Sequence, residues 1–403
     1  MSGKGNFNER GGKIKGSDVQ NIRLKQNMKK VIECSHAIAE AVRACKVGVI
    51  AAYPITPQTK IVEKLSEFYA NHQMDNAQYI NVESEHSALS ACIGAAASGS
   101  RTFTATNSQG LLYMAEMLPI ASGLKIPMVM AVTNRALSAP INIWNDHSDT
   151  MLLRDCGWIQ LFVESNQEAY DTIIQAYKIS EKLELPVMVC LDGFVLSHVF
   201  ETVDLIADKE IENFLPAYDF ERKLDPENPL TLGYLAYPAH YMKFKEKQDE
   251  SMKGSLQIIK QVNEEFAGKF DRKYGDGLIE TYKTEDAKFA LIGMGSLCST
   301  ARIVIDEMRE KGKKVGLIKI KSFRPFPSEE LMKILEKMRG IAVIDRAISP
   351  GALPPLYNDI KSLNLKADMN SFIVGLGGRD ITKEMLKSVI NKIGQRKEVE
   401  FIY

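Results

Sequence analysis

The chain has 403 residues, of which 45% are hydrophobic and 25% are charged, as expected of a soluble globular protein. Lysine plus arginine and aspartate plus glutamate both number 51, so a net charge of zero argues against nucleic acid or an acidic membrane as a partner. The apolar runs are too short to span a bilayer, and the N-terminus lacks an apolar signal segment, which together predict a cytoplasmic location.

The predicted elements begin after a basic arm. Residues 1–28 lack apolar periodicity, which predicts an arm that is flexible or wraps around a partner. From residue 29 onward, buried apolar strands alternate with amphipathic helices. The predicted strands are 47–53, 79–82, 101–106, 127–133, 158–163 and 186–191. Among the predicted helices, one opens at Thr56, one is dense in small residues after residue 83, one runs from Gly110 to Ser122, and one is capped by Asn166.

Residues 200–285 interrupt this alternation, and the charged stretches 225–229 and 243–249 predict loops and a crossover. The alternation then resumes. Its predicted elements are 288–293, 300–310, 315–320, 328–338, 341–345 and 372–375, with a last helix from Thr382. The pattern predicts a doubly wound, mostly parallel α/β sheet over residues 29–262 and a smaller α/β domain over residues 263–403.

Sheets of this kind bind ligands outside the carboxyl ends of their strands, so the residues that follow each strand are candidates for a site. Thr56 and Pro57 follow the first strand and fit a helix N-cap with proline at the first helical position. The same helix start could instead face a carboxylate. Glu85 follows the second strand. It could complement the helix dipole, or it could stay protonated in apolar surroundings and share its proton with a heterocyclic nitrogen.

Two further strands end in polar residues. The segment that begins at Asn107 fits either a simple turn or a loop that faces a ligand. Arg135 could pair with a structural carboxylate or hold the carboxylate of a substrate. The stretch 138–149 that follows contains Trp144 and His147 among polar residues and indicates an active-site loop.

Two glycine motifs do not predict a cofactor site. The motif at 293–296 follows a strand but lacks the third glycine of a dinucleotide fingerprint. The motif at 275–277 resembles the metal motif of thiamine enzymes, but the asparagine pair that this motif needs about thirty residues later is missing, which predicts a turn. None of the six cysteines lies in a CxxC pair, so one segment cannot supply the ligands of an iron–sulfur cluster. We therefore predict no metal ligands in this chain.

Several long motifs resemble the α subunit of multi-subunit 2-oxoacid:ferredoxin oxidoreductases, in particular those that act on pyruvate. They are YPITP at 53–57, ESEHSA at 83–88, NSQGL at 107–111, TNRALSAPINIWNDHSD at 133–149, LDGF at 191–194, SFRPFP at 322–327 and GLGGRD at 375–380. The match covers nearly everything after residue 28. The resemblance implies a domain similar to the pyrimidine-binding domain of thiamine enzymes, followed by one similar to the C-terminal domain of transketolase.

The resemblance also implies an activity. A complex with β, γ and δ subunits would convert pyruvate to acetyl-CoA and CO2, or run the reverse reaction, and the isolated chain would be inactive. The complex would use thiamine diphosphate, with coenzyme A as co-substrate and ferredoxin as electron acceptor. The coenzyme would be shared with a partner subunit that supplies Mg²⁺ and the diphosphate site, and partner subunits would carry the iron–sulfur clusters.

The resemblance assigns roles to residues of this chain. Glu85 matches the glutamate that faces the aminopyrimidine ring of the coenzyme, while Thr56 and Arg135 match residues that hold the oxoacid. Further coenzyme-lining positions are Tyr53, Pro54, Ile55 and Asn107. Two alternatives remain: a branched-chain oxoacid, 2-oxoisovalerate, in place of pyruvate, and a non-catalytic scaffold subunit that retained the fold.

Overall fold

The computed structural model describes residues 28–74 and 76–403, so the predicted arm at 1–28 lies outside the described residues except for Met28. The strands are β1 (Met28–Glu33), β2 (Val49–Ala52), β3 (Gln78–Asn81), β4 (Thr102–Thr106), β5 (Val129–Asn134), β6 (Ile159–Phe162), β7 (Val187–Asp192), β8 (Phe200–Leu205), β9 (Ile279–Tyr282), β10 (Phe289–Gly293), β11 (Val315–Ile320), β12 (Ser322–Arg324), β13 (Gly340–Asp345), β14 (Asp368–Val374) and β15 (Val399–Ile402). The α-helices are α1 (Cys34–Ala44), α2 (Thr59–Ala70), α3 (Glu85–Ala97), α4 (Ser108–Tyr113), α5 (Met117–Gly123), α6 (Ser148–Leu152), α7 (Asn166–Leu183), α8 (Asp208–Phe214), α9 (Pro238–Phe270), α10 (Leu297–Glu310), α11 (Ser328–Leu335), α12 (Pro355–Lys361) and α13 (Lys383–Asn391).

Two mostly parallel sheets form the framework of the molecule, which confirms the predicted fold class. The first sheet has the strand order β12-β6-β7-β5-β4-β2-β3, and only β12 runs antiparallel to its neighbour. The second sheet has the order β15-β14-β13-β10-β11-β9, and only β9 is antiparallel. Strands β4 to β7 are buried along their whole length, because helices cover both faces of a parallel sheet.

The second half of the chain packs directly against the first. Along β10, Ala290 and Ile292 join the apolar core that is shared with the first sheet, while Leu291 faces a separate core under α10 and α13. This alternation follows from the two-residue period of a strand. Lys321 alone separates β11 in the second sheet from β12 in the first, so residues 315–324 belong to both sheets.

Three predicted helix boundaries in the first half are wrong. Thr56 does not open a helix: α2 begins at Thr59, because the side chain of Gln58 bonds to Ala105 O at 2.8 Å and holds the preceding turn against β4. The single helix predicted over 110–122 is two helices, α4 and α5. Pro119 lacks an N–H donor and lies in the first turn of α5, where that donor is not needed.

The third wrong boundary concerns the cap of α7. The cap is Ser165, whose hydroxyl accepts from Glu168 N, and not Asn166. Asn166 instead donates from Nδ2 to Ile32 O at 3.0 Å and to Val199 O at 2.8 Å. The residue predicted as a local cap therefore makes long-range contacts.

The largest departure from the prediction is α9. The stretch 243–249 was predicted to be a loop, but it lies inside this helix of 33 residues. Only the second half of α9 buries side chains, among them Ile259 and Phe266. The first half is largely exposed, and its apolar side chains, among them Tyr241, Met242 and Phe244, are not buried. It is supported by Pro238 at the first helical position and by ion pairs such as Lys253–Asp249 at 2.6 Å.

The two-domain division at residue 262 stays a prediction, since α9 runs through that position and β12 returns to the first sheet. The predicted loop at 225–229 and the predicted turn at 275–277 are confirmed. No helix in the described ranges has the length and apolar character that crossing a membrane requires.

Candidate functional site

Arg135 and Thr56 lie together at the carboxyl ends of β5 and β2. Arg135 Nη1 donates to the carbonyl oxygen of Thr56 at 2.9 Å, and Nε donates to the carbonyl oxygen of Asn142 at 3.0 Å. Arg135 as a whole residue is 8% exposed, and burial lowers the pKa of its guanidinium. It forms no salt bridge with a carboxylate of the described residues, so the structural pairing considered for Arg135 is not seen there, and Nη2 has no partner among them.

Asn107 lies at the end of β4 and contacts the same loop. Its Nδ2 donates to Ile55 O at 3.2 Å and to Thr133 Oγ1 at 3.1 Å. Its Oδ1 is buried and has no hydrogen-bond partner in the described part of the chain. The Oδ1 atom of Asn107 is therefore available to accept a hydrogen bond from a ligand.

Glu85 is the first residue of α3 and is 7% exposed. Its carboxyl group has no hydrogen bond or ion pair within residues 28–74 and 76–403. The N-cap of α3 is the neighbouring Ser84, whose hydroxyl accepts from Ser87 N. Gly110 packs against this carboxyl group. A Cβ atom at Gly110 would lie 2.5 Å from Glu85 Oε1 and 2.6 Å from Thr106 Oγ1. Glycine is thus required here, and a nearly buried carboxyl group without a partner in the described ranges is available to a ligand.

Asp149 joins the strand ends of β4 and β5. Its Oδ2 accepts from Ser108 N at 2.9 Å and from Arg135 N at 3.0 Å. Its Oδ1 accepts from Asn134 Nδ2 and Thr150 N, both at 2.8 Å. Burial raises the pKa of Asp149, and these donors oppose the rise. The carboxylate fixes the backbone on both sides of the candidate site.

Asp192, at the end of β7, ties the first sheet to the second half of the chain. It pairs with Arg346 Nη1 at 2.7 Å and His147 Nε2 at 2.8 Å, and it accepts from Ser296 N at 2.9 Å and from the Ser296 hydroxyl. Burial alone would raise the pKa of Asp192, but Arg346, His147 and Ser296 outweigh burial and hold it well below the usual value. The 293–296 motif therefore contacts Asp192 through Ser296 and helps to join the two halves of the chain.

A glycine loop of the second half, residues 375–378, contacts the stretch predicted as an active-site loop. Gly378 N donates to Asn145 O at 2.6 Å, and Gly377 N donates to Asp146 Oδ2 at 3.2 Å. Asn142 Nδ2 donates to Gly377 O at 3.1 Å. The surface beside these contacts carries exposed apolar side chains. They are Tyr53 (38% exposed), Trp144 (53%) and Ile141 (80%).

The structure thus joins Thr56, Arg135 and Asn107 through shared contacts, and places Glu85 against the turn that follows Asn107. Tyr53 and Pro54 are exposed at the end of β2, and Ile55 is half-buried. The roles of Asp149, Asp192 and Asn142 were not predicted from the sequence. Inspecting the residue that follows each strand would have found Asp192, whereas the role of Asn142 depends on a contact from more than two hundred residues away.

Two family models match this chain. Residues 40–264 match the pyruvate flavodoxin/ferredoxin oxidoreductase, thiamine diphosphate-binding family, and residues 287–386 match core domain II of pyruvate:ferredoxin oxidoreductase. The pyruvate synthase subunit PorA of Methanocaldococcus jannaschii is 52% identical, over 92% of this chain and 96% of its own. The ketoisovalerate oxidoreductase subunit VorA of Pyrococcus horikoshii is 44% identical, over 93% of this chain and 98% of its own.

Solved structures show the same fold at low sequence identity. The 2-oxoglutarate:ferredoxin oxidoreductase of Magnetococcus marinus, bound to 2-oxoglutarate, coenzyme A and succinyl-CoA, superposes with a TM-score of 0.73 at 18% identity. The match covers 91% of this chain and 65% of that chain. A split-gene transketolase superposes with a TM-score of 0.55 at 12% identity, over 90% of this chain and 98% of its own.

Proposed function

The chain belongs to the 2-oxoacid:ferredoxin oxidoreductase family as an α subunit, and from this premise we propose that, together with partner subunits, it oxidatively decarboxylates pyruvate. In this reaction pyruvate and coenzyme A yield acetyl-CoA, CO2, a proton and two electrons, which ferredoxin accepts one at a time. The observation that carries the proposal is that Arg135 and Glu85 both lie at the carboxyl-end edge of the first sheet with polar atoms that have no partner among the described residues.

Thiamine diphosphate fits the residues at this edge. Glu85 would hold the aminopyrimidine ring, because a carboxyl group without a protein partner can share its proton with a ring nitrogen. Tyr53, Pro54 and Ile55 would line the ring, and the spare acceptor of Asn107 supports a ligand here. When bound, the coenzyme supplies the electron sink that decarboxylation of a 2-oxoacid needs.

Arg135 and Thr56 would bind the substrate. The Nη2 edge of the guanidinium has no partner among the described residues, while backbone carbonyls accept from Nε and Nη1. A substrate carboxylate would meet this free edge, and the burial of the site would strengthen the charge-assisted bond. Thr56 is exposed beside it, and its hydroxyl would donate to the oxoacid.

Partner subunits would complete the site. Their roles are to supply Mg²⁺ and the diphosphate site, to carry the iron–sulfur clusters and to deliver electrons to ferredoxin. We assign these roles to β, γ and δ subunits on the sequence resemblance described above. The exposed apolar side chains Tyr53, Ile141 and Trp144 beside the site are typical of a surface that a partner covers.

Pyruvate is favoured over 2-oxoisovalerate by the relatives. Proteins named pyruvate synthase subunit PorA are 45–52% identical to this chain, whereas those named ketoisovalerate oxidoreductase subunit VorA are 44% identical. We therefore expect kcat/KM of the assembled complex to be higher for pyruvate than for 2-oxoisovalerate. The reverse order would establish the branched-chain alternative.

The role of Glu85 is tested by Glu85→Gln in the assembled complex. Glutamine keeps the size of the side chain but cannot give up a proton, so we expect pyruvate oxidation to fall at least about a hundredfold. Glu83→Gln is the matched control, since Glu83 is exposed and bonds to Ser87. Normal activity of the Glu85 variant would reject this role and favour a non-catalytic scaffold.

A further inference from the structure

Asn142 connects the glycine loop of the second half to the guanidinium of Arg135. Its side chain donates from Nδ2 to Gly377 O at 3.1 Å, and its Oδ1 accepts from Trp144 N at 2.7 Å. Its backbone carbonyl accepts from Arg135 Nε at 3.0 Å. One residue therefore bonds both to the glycine loop and to the group proposed to hold the substrate.

Only glycine fits the loop at the points of contact. Gly377 and Gly378 have φ angles of +58° and +81°, which other residues rarely adopt. A Cβ atom at Gly377 would lie 2.5 Å from Asn142 Nδ2, and one at Gly378 would lie 2.2 Å from Trp144 Cβ. The backbone of the loop thus approaches the 142–146 segment as closely as its atoms allow.

We propose that Asn142 is a positioning residue for the oxoacid, acting through Arg135, and that the glycine loop holds Asn142 in place. The inference rests on the proposed function, because it takes Arg135 as the group that binds the substrate carboxylate.

The geometry of the guanidinium supports this role. Among the described residues, Arg135 has two side-chain contacts, the carbonyl oxygens of Thr56 and Asn142, and these set the plane of the guanidinium. Two parallel hydrogen bonds to a carboxylate require that plane to be correct. If the Asn142 carbonyl shifts, the substrate is held at the wrong angle although the charge of Arg135 is unchanged.

The test is Asn142→Ala in the assembled complex, because alanine removes both side-chain bonds without adding charge. We expect KM for pyruvate to rise about tenfold and kcat to change less than about twofold, as when one hydrogen bond to a charged group is weakened. In an Arg135→Ala background the same substitution should raise KM no further, since its effect passes through Arg135.

Thr382→Ala is the matched control. It removes the hydroxyl that caps α13, which accepts from Met385 N at 3.2 Å, and so destabilises the second half of the chain without touching Asn142. We expect its KM to equal that of the wild type. If Thr382→Ala raised KM as much as Asn142→Ala does, a general loss of stability would explain both increases, and the positioning role would be overturned.

Hydrogen exchange gives a readout that does not depend on activity. In the full chain, peptides that cover 136–147 contain the amides of Trp144 and Ala136, which bond to Asn142 Oδ1 and Trp144 O. We expect faster exchange there in Asn142→Ala and in Gly378→Ala, and unchanged exchange in Thr382→Ala. Unchanged exchange in the first two variants would show that the glycine loop does not hold this segment.

The outcomes separate the two proposals. If Arg135→Ala leaves KM unchanged, Arg135 does not bind the substrate and the proposed function of that residue fails. If Arg135→Ala raises KM but Asn142→Ala does not, only the positioning role is overturned. The positioning role is also overturned if Asn142→Ala raises KM equally with and without Arg135.

Discussion

At the scale of single residues, the candidate site is defined by polar groups that do not use all their hydrogen-bonding capacity within the described residues. The Arg135 side chain bonds to two backbone carbonyls and makes no salt bridge in the described part of the chain, although the buried Asp149 attracts its charge. Glu85 is nearly buried and unpaired in the same sense. Such groups are costly to a folded protein unless a ligand satisfies them, which is why they are typical of binding sites.

Arg135→Ala should raise KM for pyruvate about a hundredfold, because the charge-assisted bonds to the carboxylate are lost. Arg135→Lys should recover a small part of the loss, since an ammonium group keeps the charge but cannot make the same fork of bonds. Both variants are measured in the assembled complex. Arg154→Ala is the control, as Arg154 lies on a neighbouring loop and bonds to Met151 O. An unchanged KM in Arg135→Ala would contradict the assignment.

At the scale of elements, the start of α12 depends on a buried acid. Asp345 ends β13, and its two oxygens accept from Leu356 N at 2.8 Å and from Tyr357 N at 3.1 Å. Burial raises the pKa of Asp345 to about 7, and nearby Asp359 adds to the rise. The native state thus binds a proton at Asp345 that the unfolded chain releases near pH 3.8.

This difference predicts a pH dependence of stability. Because the native state holds the proton more tightly, the free energy of unfolding of the wild type relative to Asp345→Asn should fall as pH rises from about 4 to about 7. The slope should be about 1.4 kcal/mol per pH unit. Urea unfolding across this range measures it, with Asp368→Asn as an exposed control. A constant difference between wild type and Asp345→Asn would contradict the shift.

The sequence predicts some elements well and others poorly, for physical reasons. Strands such as β11 are found at their predicted bounds because a buried parallel strand is a continuous apolar run. The first half of α9 was missed because the charged run 243–249 resembles a loop and the apolar side chains beside it are not buried against the core. At the site, position after a strand pointed to Arg135 and Glu85. Local patterns could not show that Gln58 bonds to Ala105 O or that Asn142 contacts Gly377, because both contacts join distant segments.

At the scale of the whole molecule, a buried ionic cluster joins the two halves. Arg346 follows β13 and pairs with Asp192, which ends β7. Both side chains are at most 3% exposed. A buried carboxylate that loses its arginine keeps the cost of desolvation without the compensating attraction.

Arg346→Ala should lower the free energy of unfolding of the full chain by about 3 kcal/mol. The pKa of Asp192 is depressed in the native state, so the stability that the cluster contributes is present above about pH 4 and is lost on further acidification. The difference in the free energy of unfolding between the wild type and Arg346→Ala should therefore be larger at pH 7 than at pH 3. Arg339→Ala, at an exposed position, is the control. A loss below about 0.5 kcal/mol at pH 7 would contradict a structural role for the pair.

The segment 315–324, which contributes β11 to the second sheet and β12 to the first, has a consequence for synthesis of the protein. The outer edge of β6 is covered by β12, and Phe162 N bonds to Lys321 O, so nothing earlier in the described chain takes that place. A ribosome adds about 5–20 residues each second, and so the edge of β6 remains open for roughly ten seconds or longer after it emerges. An uncovered strand edge invites pairing with other nascent chains. We therefore expect the growing polypeptide to be most prone to such pairing between the emergence of β6 and the emergence of Arg324.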